Sequence, residues 1–97
     1  MKTSRYVVTN PFGLHTRISA DLIRTIKGYE SRVDILFGDS VYSNDSILML
    51  MQSGISRGGV FTLRVEGVDE AICFDAMDAQ IKAKVGNRIG DKTGESV

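Results

Sequence analysis

Apolar residues in this chain switch repeatedly between a two-residue and a three-to-four-residue spacing, which leaves few folds open. Phe61-Thr62-Leu63-Arg64-Val65-Glu66 alternates cleanly and predicts a strand, as do Val33, Ile35 and Phe37 within 32–37. Tyr6-Val7-Val8-Thr9 is rich in β-branched and aromatic residues and stops at Asn10-Pro11, so it predicts another strand. Gly38-Asp39 suits a tight turn into a short strand around Val41-Tyr42. Between these stretches the spacing is helical. Ile18, Leu22, Ile23 and Ile26 make one helix face that ends at Gly28, and Phe74, Met77 and Ile81 share a face of a last helix. Asp69 and Glu70 start that helix and Lys82 and Lys84 end it, as its macrodipole favours. Asp45-Ser46 caps a short, very apolar helix over 47–52 that closes near Gly54. The order β-α-β-β-α-β-α predicts an α+β open-faced β-sandwich, a four-stranded, mainly antiparallel sheet with three helices on one face.

A chain of 97 residues supports one hydrophobic core. The predicted domain spans 1–84. Beyond it the composition becomes polar and is punctuated by Gly86, Gly90 and Gly94, which predicts a flexible tail over 85–97 with room for one extra helical turn at its start. Twelve Lys and Arg balance twelve Asp and Glu, so no global field favours nucleic acid or an anionic membrane. Cys73 is the only cysteine, which excludes an internal disulfide framework and a cysteine-rich zinc site, and its helical setting predicts a buried thiol. No stretch reads as a signal peptide or reaches membrane-spanning length, so a cytoplasmic protein is expected.

Chemistry concentrates around His15, the only histidine, in Asn10-Pro11-Phe12-Gly13-Leu14-His15-Thr16-Arg17. A turn carries the imidazole to the start of a helix, where amides lack intrahelical partners and the summed peptide dipoles are positive. A phosphoryl group on His15 would meet the backbone amides of Thr16 and Arg17, and the Arg17 guanidinium could add charge-assisted bonds. The same positive end disfavours imidazolium and keeps the ring a neutral nucleophile. The blander reading is that His15 merely caps the helix. On these residues alone the two stand about level. A metal site is not supported, since no second histidine exists to complete one.

Ser46 offers a hydroxyl to an orphan amide as an N-cap, and a phosphate there would also meet a helix N-terminus. The following Ile47, Leu48, Leu50 and Met51 are too many apolar groups for one side of two turns. Either that helix is buried nearly all round, or it leaves a patch on which partners can dock.

Gly13-Leu14-His15-Thr16-Arg17 resembles the active-site motif of the HPr family, the histidine-containing phosphocarriers of the bacterial sugar phosphotransferase system. Asp45-Ser46-Ile47-Leu48-Met49-Leu50-Met51, ending at Gly54, is similar to that family's regulatory-serine region, and the two motifs stand in register. The resemblance covers about residues 4–84. It implies an open-faced β-sandwich that carries phosphate on a ring nitrogen, normally Nδ1, of His15, with Arg17 assisting. Enzyme I would donate the group and the A component of a sugar permease would accept it. Ile47, Leu48 and Met51 match docking positions; Arg24 and Lys27, which fall in one basic segment with Arg17, are expected as further partner-binding residues. Ser46 matches a serine that a dedicated HPr serine kinase modifies in some bacteria.

The resemblance implies a stoichiometric carrier, not a turnover enzyme, and calls for no cofactor, no nucleic acid and no membrane insertion; a monomer is expected. Two positions depart from the family. Ile18 stands where proline is usual in the first helical turn, and Thr16 where a small residue is common. Both are expected to shift the helix start by about a residue and to mark a divergent HPr-like paralogue. The competing hypothesis is a regulatory binding module that keeps the fold, acts through the Ser46 region and seldom carries phosphate on histidine.

Overall fold

The computed structural model of the chain describes residues 1–13, 16–47, 49–50 and 54–90, with only the backbone described at Thr16 and Asp45. Strand β1 runs over Lys2–Val8, helix α1 over Thr16–Ile26, β2 over Arg32–Phe37 and β3 over Ser40–Ser43. A 3-10 turn at Asn44–Ser46 precedes β4 at Val60–Glu66, helix α2 at Glu70–Lys84 and β5 at Gly86–Gly90. The strands form one sheet in the order β3-β2-β4-β1-β5, and every neighbouring pair is antiparallel.

Register explains the core. Tyr6 lies opposite Phe61, Ile35 opposite Leu63 and Val33 opposite Val65, so these side chains share one face of the sheet and are buried. The Tyr6 and Phe61 rings stack with centroids 5.4 Å apart. Against this face lie Ile18, Leu22, Ile23 and Ile26 of α1 and Cys73, Phe74, Met77 and Ile81 of α2, all buried. The opposite face carries Asp34, whose carboxylate receives Ser43 Oγ at 2.5 Å, Arg32 Nε at 3.0 Å and Arg64 Nη2 at 2.7 Å.

One expectation is corrected. The sheet has five strands rather than four, because residues 86–90 of the predicted flexible tail pair with β1. Backbone pairing needs no apolar side chain, and Gly86 leaves room for the close approach: a Cβ there would fall 1.8 Å from the Val7 carbonyl oxygen. Val85, just before the strand, is buried, so a domain boundary at 84 cuts through packed structure. Residues 91–97 lie outside the described part. The expected third helix over 47–52 lies partly outside the described residues. Ile47, Met49 and Leu50 are helical and the Gly54 amide donates to the Leu50 carbonyl at 2.6 Å, but Leu48 and 51–53 lie outside the described residues.

Asp69 stands at the N-cap position of α2, as the sequence reading has it. Its side chain makes no capping bond to α2; it accepts the Glu30 amide at 2.9 Å and the Ser31 hydroxyl, tying the start of α2 to the start of β2. Cys73 is buried as expected, and burial, with the nearby Asp69 carboxylate, pushes its thiol up to about 11.

Candidate functional site

Residues 10–13 form the approach to His15. The Asn10 carboxamide oxygen accepts the Phe12 amide at 2.8 Å, an Asx turn, and the Asn10 carbonyl accepts the Gly13 amide at 2.9 Å. Gly13 has φ of 70°, a left-handed conformation that costs glycine little. A Cβ at Gly13 would stand 2.4 Å from the Ile55 carbonyl oxygen, so the position excludes a side chain on steric grounds as well. Pro11 and Phe12 are exposed at the outer edge of this turn, Phe12 by 83%.

Leu14 and His15 lie outside the described residues. Helix α1 begins at Thr16, the residue after His15 in the chain, so the Thr16 and Arg17 amides fall in its first turn. The helix starts directly after His15, where the sequence places it, so Ile18 in place of proline does not shift the start; the Ile18 side chain is buried in the core. The first turn of α1 contains no acidic residue, and Arg17 is exposed there. An incoming anion therefore meets no carboxylate from that turn, and its positive dipole end is left unopposed.

Further along the same helix, Arg24 pairs with Asp21 at 3.0 Å, and Lys84 of α2 reaches Asp21 at 3.2 Å. The bond from Lys84, followed by its charge and the contribution of Arg24, holds the Asp21 carboxyl below the usual carboxylate range. Arg17, Asp21 and Arg24 share one helical face by their spacing, and Lys27 is exposed one position beyond the helix.

Ser46 is half-buried. Its hydroxyl accepts the Ser43 amide at 2.7 Å and donates to the Ser43 carbonyl at 2.8 Å, so these bonds run backward to β3. Asn44, at φ of 44°, turns the chain here and accepts the Val33 amide through its side-chain oxygen at 2.9 Å. The turn rotates Ile47 inward: Ile47 and Leu50 are fully buried at 0% exposure, whereas Met49 is 64% exposed. Ile47 is therefore a core residue and not part of a docking surface, which corrects its assignment from the sequence. The three-residue step from Ile47 to Leu50 was the available signal for this. Leu48 and Met51 lie outside the described residues.

Sequence reasoning missed the structural importance of Asn10, which it used only to stop a strand. It also missed a polar cluster under α2. Tyr6 donates to Asp78 at 2.6 Å, Lys82 pairs with Asp78 at 3.0 Å, and Arg88 donates to Ser4 at 2.8 Å. Burial, together with the Asp78 carboxylate, raises the Tyr6 phenol well above its ordinary range and keeps it neutral. The four-residue step from Asp78 to Lys82 hinted at a helix-surface pair, but nothing local to Asp78 announced Tyr6. No helix among the described residues is long and apolar enough to cross a membrane.

An antiparallel open-faced sheet covered by helices on one face, with a tight turn at residues 10–13 ahead of a helix that starts at Thr16, defines a small α+β domain. The chain belongs to the HPr family of the phosphotransferase system: the family described as "PTS HPr component phosphorylation site" matches residues 2–83. The chain is 32% identical over 77 residues to the phosphocarrier protein HPr of Lysinibacillus sphaericus, covering 79% of this chain and 88% of that protein. It is 28% identical over 87 residues to the phosphoryl donor subunit of a PEP-dependent dihydroxyacetone kinase from Providencia stuartii, covering 90% of this chain but 18% of that protein. Its structure resembles crystalline HPr from Thermoanaerobacter tengcongensis with a TM-score of 0.76 at 28% identity, each chain covered completely. A Mycoplasma histidine-containing phosphocarrier shares the fold at the same TM-score of 0.76 and 21% identity, over 84% of this chain and 92% of that one.

Proposed function

We propose that the chain carries a phosphoryl group on His15, received from phospho-enzyme I and surrendered to the A component of a sugar permease. In the first step a neutral ring nitrogen of His15 attacks phosphorus, and an N–P bond forms as the donor's N–P bond breaks. The second step repeats this exchange with an acceptor histidine, so the protein ends unchanged and acts as a stoichiometric intermediate. The Thr16 and Arg17 amides and the Arg17 guanidinium would bind the phosphoryl oxygens. The observation that carries this reading is the helix start at Thr16, immediately after His15, with Arg17 exposed in a first turn free of acidic residues. Family membership supports it. Arg24, Lys27, Leu48 and Met51 are proposed as partner contacts, with exposed Met49 joining them.

The test is a transfer chase. Incubation with enzyme I, Mg²⁺ and labelled phosphoenolpyruvate should label the wild type, and adding an A component should remove that label. No labelling with several enzyme I sources would sink the proposal.

A second reading has support in the exposed Met49 beside half-buried Ser46, and would make the chain a binding module regulated at Ser46. Ser46→Asp should then change partner affinity while His15→Ala leaves it unaltered. Equal affinities for Ser46→Asp and wild type would remove that reading.

A further inference from the structure

The geometry points to strand β5 as a brace for the segment that leads into His15, with Asn10 as the positioning residue through which it acts. The inference rests on the phosphocarrier reading given above. Strand β5 lies beyond residues 2–83, the part that the family pattern covers. Its root is bonded directly to the approach turn. The Val85 carbonyl accepts both the Thr9 and the Asn10 amides at 3.0 Å. The Lys84 carbonyl, at the end of α2 where helical partners run out, accepts the Asn10 side-chain amide at 2.9 Å. The other end of the same carboxamide holds the Phe12 amide. One side chain thus links the α2–β5 junction to the turn that enters His15.

The junction is itself fixed by β5. Gly86 sits so close to β1 that no side chain fits between them. Arg88 donates to Ser4, lies 5.5 Å above the Phe74 ring and reaches Asp78 at 3.9 Å. The Ser4 hydroxyl donates in turn to the Gly90 carbonyl at 2.8 Å. Exposed Pro11 and Phe12 contribute little anchoring by burial; Phe12 and Gly13 are bonded to Asn10, and Asn10 in turn to residues 84 and 85. In-line transfer needs the attacking nitrogen about 3–3.5 Å from phosphorus, and small misplacements slow such steps without altering docking.

Two variants test the brace in the full-length chain. Gly86→Ala places a Cβ against the Val7 carbonyl and should detach β5, an edge strand whose loss leaves the other four strands paired. Asn10→Asp keeps the acceptor for Phe12 and turns a carboxylate oxygen toward the Lys84 carbonyl. Amide exchange should accelerate at Phe12 and Gly13 in both variants, while α1 and β4 stay as protected as in the wild type. The rate of His15 labelling at saturating phospho-enzyme I should fall on the order of tenfold, at an unchanged half-saturating concentration. The double variant should be no slower than the slower single variant. Unchanged exchange at Phe12 and Gly13 once β5 is detached overturns the brace, and so does an unchanged saturating rate per folded molecule. Failure of the wild type to be labelled would instead remove the phosphocarrier reading, and the exchange data would still decide the brace.

Discussion

The segments around His15 and Ser46 are held in place by different means. The turn before His15 closes locally on Asn10 but is also tied to partners remote in the chain, since the Asn10 side chain bonds a carbonyl 74 positions away and Gly13 nests against Ile55. The Ser46 turn is largely local: its hydroxyl closes on Ser43, three positions back. The segment leading to His15 therefore takes much of its geometry from the packed domain. The bonds of the Ser46 hydroxyl reach only Ser43, so replacing that hydroxyl should leave the domain folded. The turn is tied to the sheet through Ser43, which donates to Asp34, and through Asn44, whose side-chain oxygen accepts the Val33 amide.

The contrast can be broken hardest at Gly13. Gly13→Ala combines an unfavourable left-handed backbone with a backbone clash and should cost about 3 kcal/mol, read as a drop in Tm of more than about 10 °C. A drop of only a degree or two would mean that Ile55 yields easily and that the turn is not set by packing.

Asp34→Asn comes next. It weakens one tie between the Ser46 turn and the sheet and leaves Arg64 without its carboxylate, at a cost of about 2 kcal/mol in urea unfolding. Burial opposes the Asp34 charge, but bonds from Ser43, Arg64 and Arg32 outweigh it and hold the carboxyl below the ordinary range. A depressed folded pKa stabilises above the unfolded value, about 3.9, and that contribution is lost as pH falls through the folded value. Wild-type stability should therefore decline in acid from about pH 4 downward, with a shallower decline in Asp34→Asn. Parallel pH curves would show that Asp34 is not a source of the acid sensitivity.

Ser46→Ala should cost about 1 kcal/mol, since only a local pair of bonds is lost. Its amide-exchange changes should stay within the turn and β3, leaving Phe12 and Gly13 unaffected. Spread to Phe12 or Gly13 would show that the two segments are coupled. The smallest effect is expected from Met49→Ala, whose exposed side chain should contribute less than about 0.5 kcal/mol to stability. Any larger loss would place Met49 in the core with Ile47 and Leu50.

The sequence exposed the parts of this fold that depend on side-chain period. Phe61, Leu63 and Val65 alternate into the core, and Ile18, Leu22, Ile23 and Ile26 make the buried face of α1. Strand β5 was hidden because it holds its place through backbone pairing, a missing Cβ at Gly86 and the polar partners of Arg88, none of which leaves an apolar pattern. Ile47 was misread because an apolar residue in a short helix fits either the core or a docking patch until the orientation of the preceding turn is known. The segment around His15 was legible as a motif. Its support was not, since Asn10 is joined to Lys84 and Val85 only through the tertiary fold.

The most direct test of the account is to locate the phosphate after incubation with phosphoenolpyruvate, Mg²⁺ and enzyme I. Intact mass should show one added phosphoryl group, lost in acid, retained in alkali, mapped to His15 and absent from His15→Ala. A modification stable to acid, one mapped to Ser46, or one undiminished in His15→Ala would contradict the central claim.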